Sequence, residues 1–137
     1  SFSRTPFLFC DNIIGDVFET EKLKLLLLEE DFDAVINCIG ILNQDAENNP
    51  SKAVYLNSYL PHFIADTLKN SNSKMIHMST DCVFSGNTGP YFENSFCDGK
   101  TFYDRTKALG EVNDNKNLTF RKRNFTYKLS TFFDHIH

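Results

Sequence analysis

Tyr103 and Lys107 stand four residues apart in the run Tyr103-Asp104-Arg105-Thr106-Lys107. On a helix that spacing puts the phenol and the ammonium on one face, where both can reach a single pocket. A tyrosine titrates near ~10 and handles protons poorly at neutral pH unless its anion is stabilised. One cation within ~4 Å supplies roughly 4 kcal/mol at an effective dielectric of about 20, before desolvation. That is enough to lower a phenol by about one to two units. So tuned, the group gives a proton to a carbonyl being reduced or takes one from an alcohol being oxidised. Such pairs are common on amphipathic helices, so the company they keep decides the reading. Here an apolar stretch ends in Ser79-Thr80, and ligands of open α/β sheets sit beyond the carboxyl ends of the strands. A threonine hydroxyl there can hold the oxygen that the tyrosine protonates. Its ordinary alternative is a turn residue that caps its own backbone.

The elements that must position these groups follow from periodicity. A short strand is predicted over 12–16, then a helix over 20–30 with Thr20 as N-cap and Leu23, Leu26 and Leu27 on one face. Residues 33–39 read as the clearest buried strand, ended by Gly40, and 43–50 as a polar loop. Ser51 is expected to cap a helix to about residue 70, with Leu56, Leu60, Phe63, Ile64 and Leu68 inward. Pro61 lies within it and leaves the Asn57 carbonyl without its donor, which predicts a kink. A strand over 74–79, an irregular stretch holding Gly86, Gly89, Pro90 and Gly99, a helix from Phe102 or Tyr103 to about Asn113 and a strand from Leu118 complete the pattern. Strands alternating with helices indicate an α/β fold with a doubly wound parallel sheet.

Composition narrows the function. The 137 residues suit one domain, and 41% hydrophobic with 23% charged residues are globular proportions. The longest apolar run, 25–28, is far below a membrane span. No signal-peptide pattern opens the chain, because Arg4 and Pro6 interrupt it. A formal charge of -4 disfavours nucleic acid, so the expected partner is a small molecule or another protein. Cys10, Cys38, Cys82 and Cys97 form no C-x-x-C pair, which argues against zinc, redox and disulfide frameworks and for a reducing, cytoplasmic setting. Cys38, inside an apolar run, reads as a small buried hydrophobe. The sequons at Asn117 and Asn124 carry no weight without a secretion signal, and His135 and His137 read as a frayed terminus rather than a metal site.

The sequence resembles the extended short-chain dehydrogenase/reductase superfamily, and within it the dTDP-4-dehydrorhamnose reductase branch of nucleotide-sugar reductases. The carrying segments are Gly15-Asp16-Val17, the run from Asp33 to Gly40, Leu56-Asn57-Ser58, and above all Ser79-Thr80-Asp81-Cys82-Val83-Phe84, followed by Gly89-Pro90-Tyr91 and the helix opened by Tyr103. Cys82 stands where dehydratases of the superfamily place a glutamate, which disfavours dehydration. The resemblance implies a partial Rossmann-like NAD(P)-binding domain over 1–121, with Tyr103 as general acid and Thr80 on the substrate carbonyl. Lys107 would lower the tyrosine and bind the nicotinamide ribose. Asp16 and Val17 would meet the adenine, Cys38, Ile39 and Gly40 would line the cofactor cleft, and Asn57 would reach the lysine through water. Arg4 suits the 2′-phosphate of NADPH, with NADH as the alternative and an ordinary surface arginine as the bland reading. The implied substrate is a nucleotide-sugar in the synthesis of cell-surface polysaccharide precursors, and a full-length parent could pair as a homodimer. His77 reads as a packed strand residue.

Two departures qualify the resemblance. No glycine-rich phosphate turn occurs, since the six glycines fall at 15, 40, 86, 89, 99 and 110. The first strand and helix of the fold are therefore expected to be missing, and in strand order 3-2-1-4-5-6 that strand is central. After Arg121 the family pattern stops, so the C-terminal substrate domain is expected to be missing and 122–137 read as a divergent tail. The competing functions are thus a keto-sugar reductase, a non-catalytic regulatory or scaffold relative, and an inactive fragment of such a reductase.

Overall fold

A computed structural model describes residues 1–6, 8 and 10–123. The strands form two parallel sheets. β1 (Phe2–Ser3) pairs with β2 (Ile13–Ile14), while β3 (Ala34–Asn37), β4 (Lys74–Thr80) and β5 (Leu118–Lys122) form a second sheet in that order. Ile36, Ile76 and Leu118 stand side by side across it, as do Asn37, His77 and Thr119. Between the sheets lies a slot of about 640 Å³ lined by Phe2, Ile13, Leu27, Val35 and Ile36 among others. That is where the doubly wound order puts its first strand. Among the described residues no strand fills it.

β3 is shorter and barer than the predicted buried strand over 33–39. Ala34 and Ile36 are exposed, Ile36 at 62%, because alternate residues of β3 point to a sheet face that no helix of the described residues covers. Cys38, expected to be buried, is exposed for a related reason: it follows the last ladder residue and leaves the sheet.

The helices lie on the other face. α1 (Thr20–Glu29) buries Leu23 and Leu27, and its N-cap is Glu19, without a side-chain bond, instead of Thr20. The expected polar loop contains a short helix, α2 (Asn43–Asn48). The single kinked helix expected from Ser51 is α3 (Pro50–Ala53), a π-helical turn (Val54–Tyr59) and α4 (Leu60–Thr67). Asn49 is its N-cap and Pro50 takes the first turn, where its missing N–H costs nothing. The wide turn sits just ahead of Pro61, where the regular ladder loses a donor. Gly110 packs against the Asn57 carbonyl so closely that a Cβ there would meet the oxygen at 1.8 Å. Leu56, Leu60, Ile64 and Leu68 join Leu23, Leu27 and Met75 in the core.

α5 (Phe102–Leu109) opens on a capping box between Thr101 and Asp104 and stops at Gly110, four residues short of expectation. β5 extends through Lys122. The tail from Asn124, including His135 and His137, lies outside the described residues. No helix among the described residues is long and apolar enough to cross a membrane.

Candidate active site

β4 carries Thr80 at its C-terminal end, and α5 presents Tyr103 and Lys107 one turn apart. The Thr80 side chain lies close enough to the Tyr103 phenol to act on its titration. The Thr80 hydroxyl oxygen also accepts the Cys82 N–H at 3.2 Å, so it caps the following 3-10 turn as well. Thr80, Tyr103 and Lys107 are 3%, 4% and 5% exposed and line one cavity of about 260 Å³ with Cys38, Gly40 and Asn57. The three side chains singled out by type and spacing therefore share a pocket.

Their electrostatics differ from expectation. Lys107 was expected to lower Tyr103, yet the phenol is held above its ordinary value. Burial is the main cause; the neighbouring Thr80 side chain acts the other way, and Cys82, Asp104 and Asp81 add to the rise. The Lys107 amine is directed elsewhere. It donates to the Met78 carbonyl at 2.7 Å and lies 3.4 Å from His77 Nε2. Burial brings Lys107 down to about 8, against the pull of Glu111 and Cys38.

A second cavity, about 500 Å³, is lined by Arg4, Asp16 and Val17 and shares Ile39, Gly40, Ile41 and Leu42 with the first. One cleft thus runs from Arg4 to Thr80. Arg4 is exposed, Asp16 half-buried and Val17 buried; the Asp16 carboxylate accepts the Phe18 N–H at 3.1 Å. Gly40 forms the floor where the cavities join, and a Cβ there would press on Asn57 Oδ1 at 3.1 Å. Asn57 is fully buried, and its amide clamps Ile41 N–H at 2.9 Å, Ile41 C=O at 3.0 Å and the Thr106 hydroxyl at 3.1 Å. It ties the loop after β3 to α5. The cleft fits a dinucleotide at both ends, with a cation and a carboxylate at one and a hydroxyl, phenol and amine at the other.

Sequence reasoning missed two polar assemblies beside this cleft. The first joins Asn37, His77 and Lys107; its only signal was a lone amide in an apolar strand. In the second, Arg121 holds Glu111 through Nε–Oε1 at 2.8 Å and Nη2–Oε2 at 2.7 Å. Ser79 donates to Glu111 Oε1 at 2.8 Å, and the guanidinium stacks 4.8 Å over Phe84. No short-range pattern could pair Glu111 with Arg121, because only the parallel β4–β5 register sets Arg121 beside Ser79.

The family described as RmlD substrate binding domain matches residues 4–121. The "Probable low-salt glycan biosynthesis reductase Agl14" of Haloferax volcanii is 34% identical over 111 residues, covering 80% of this chain and 37% of that protein. Among solved structures, a hypothetical dTDP-4-dehydrorhamnose reductase from Sulfolobus tokodaii superimposes with a TM-score of 0.76 at 26% identity, covering 82% of this chain and 42% of that one. A UDP-glucuronic acid 4-epimerase from Bacillus cereus in complex with NAD matches with a TM-score of 0.60 at 25% identity, over 72% and 31% of the two chains. The chain thus spans well under half the length of each.

Proposed function

Because the chain belongs to the RmlD substrate binding domain family, we propose that it serves a nicotinamide-dependent reductase that converts the keto group of a nucleotide-activated sugar, of the dTDP-4-dehydrorhamnose type, to an alcohol. The observation that carries this reading is the shared pocket of Thr80, Tyr103 and Lys107, open to the cleft of Arg4, Asp16 and Val17. When bound, the cofactor supplies the hydride. Thr80 orients the carbonyl oxygen by hydrogen bonding. Tyr103 donates its proton to that oxygen as negative charge develops there. The raised phenol suits this direction, since the group keeps its proton until a stronger base, an alkoxide, appears. Lys107 and Tyr103 are the groups for the nicotinamide ribose, Asp16 and Val17 for the adenine end, and Cys38, Ile39 and Gly40 for the intervening wall. Arg4, exposed at the far end, suits a 2′-phosphate and so favours NADPH over NADH.

The test is reduction of dTDP-4-dehydrorhamnose by NADPH with the full-length protein, followed by the loss of nicotinamide absorbance. Tyr103→Phe should lower turnover by about 10²–10⁴-fold, the usual worth of a general acid, and leave nucleotide binding nearly unchanged, because Lys107 still reaches the ribose. No turnover by the wild-type full-length protein would remove the reductase reading in favour of a non-catalytic relative, and turnover that survives Tyr103→Phe would remove Tyr103 as the acid.

A further inference from the structure

His77 is fully buried beneath the proposed catalytic lysine, and the reaction outlined above does not use it. Its surroundings nevertheless fix which of its ring nitrogens carries the proton. Asn37 is only 3% exposed. The Ile39 N–H donates to Asn37 Oδ1 at 3.1 Å, which settles the orientation of the amide: its oxygen faces the backbone donor. The Asn37 Nδ2, 3.2 Å from His77 Nδ1, can only donate. His77 Nδ1 must therefore accept, and a neutral imidazole then bears its hydrogen on Nε2.

That Nε2 lies 3.4 Å from the Lys107 amine. An N–H pointed at an ammonium sets donor against donor. Pointed at an uncharged amine, the same N–H meets a lone pair, while the amine hydrogens still reach the Met78 carbonyl at 2.7 Å. We infer that Asn37 and His77 form a tautomer lock under Lys107, presenting the amine with an N–H instead of a lone pair and so favouring its uncharged form. Both are positioning residues that act through Lys107. The inference rests on the reductase reading only for its consequence in catalysis.

Other titratable groups also face the amine. Glu111, beyond the end of α5, and Cys38, after β3, both favour the ammonium; Tyr103 and Lys122 line the same cavity. Burial acts with the lock and already brings Lys107 to about 8. The imidazole itself cannot escape by taking a second proton, because burial, Lys107 and His62 hold it down to about 3. A lysine so placed changes charge close to physiological pH and does not stand as a permanent cation beside the phenol.

The test needs no substrate. Long-range ¹H–¹⁵N correlation spectra of the His77 ring, recorded on the chain without ligand, should show the proton on Nε2 at neutral pH. Lys107 should titrate well below an ordinary lysine. In Asn37→Asp the carboxylate can only accept, so the ring proton should move to Nδ1, and Lys107 should bind its proton at least about tenfold more tightly, one pKa unit. A native-like amide spectrum would confirm that this variant folds; if it does not fold, the wild-type spectra decide alone. An Nδ1–H tautomer, or an ordinary Lys107 titration in the wild type, would overturn the lock and leave the reductase reading untouched. Absence of turnover in the wild-type full-length protein would do the reverse. In the full-length enzyme, Asn37→Asp should move the pH profile of turnover to the alkaline side, which a merely structural asparagine would not do.

Discussion

On one face of the β3–β4–β5 sheet Asn37, His77 and Ser79 lie 3%, 0% and 7% exposed, with Arg121 beside Ser79. On the other face Ile36, Leu118 and Phe120 stand 62%, 53% and 55% exposed. The usual arrangement is inverted: amide, imidazole and hydroxyl are inside, while branched and aromatic side chains face out. The buried polar groups survive because each is satisfied. Among the described residues no buried side-chain nitrogen or oxygen lacks a partner. The bare face is a composition that parallel sheets cover on both sides. Asn37, His77 and Ser79, which support the lysine and Glu111, come from the covered face, whereas Thr80 reaches the pocket from the end of β4 with the side-chain parity of the bare face.

If so, disturbing the covered face should be expensive. The largest effect is expected from acid. His77 titrates near 3 when folded and near its ordinary 6.5 when unfolded, so between those values the unfolded chain binds more protons. Stability is full above pH 6.5, falls as the pH drops through that window and levels off below 3 as far as this group is concerned. At about 1.4 kcal/mol per unit the loss reaches at most ~5 kcal/mol. Urea denaturation across pH should show it, and His77→Leu should flatten the part of the curve that lies above the carboxylate range. A slope that persists in His77→Leu would mean that some other group governs acid unfolding.

Removing the carboxylate of Glu111 comes next. Glu111→Leu leaves Arg121 and Ser79 without their shared acceptor, and breaking a buried pair from one side costs roughly 3–5 kcal/mol. Arg121 keeps 22% of its side chain in water, so the expectation is the low end, about 3 kcal/mol, read as a shift in denaturation midpoint. A loss below about 1 kcal/mol, the scale of a surface pair, would show that solvent replaces the carboxylate freely.

How much of this was legible beforehand follows from the range of each interaction. The alternation of strands and helices, and the helix that sets Tyr103 one turn from Lys107, rest on local periodicity and came through. The empty central position could be inferred because glycine spacing is a property of the string itself. The π-helical turn was half legible: Pro61 announced an irregularity, but its form depends on how closely Gly110 approaches Asn57. The direction of the Tyr103 shift was missed because charge–charge attraction can be estimated from spacing, whereas the competing loss of solvent cannot. Lys107 turns to Met78 and His77, and only the register of β4 against α5 reveals that choice. The exposure of Ile36 and Cys38 was missed for a similar reason, since an apolar run says that a strand is suited to burial, not that anything lies over it.

The smallest effect is the sharpest check on the contrast between the faces. Phe120 and Ile36 are the sort of residue whose truncation in a core costs several kcal/mol, about 3–5 for a phenylalanine. At 55% exposure, on the face that no helix of the described residues covers, Phe120 has most of its ring in water already. Phe120→Ser should therefore change stability by less than about 0.5 kcal/mol, the range of surface substitutions, even though it sits in the same strand as Arg121 and one residue away from it. The two neighbours then differ in the sense opposite to their polarity: the charged residue is the one the fold depends on. The measurement is a denaturation curve for each variant at the same pH. A loss of more than about 2 kcal/mol for Phe120→Ser would show that this face is covered in solution, and the contrast between a buried and a bare side of the sheet would fall.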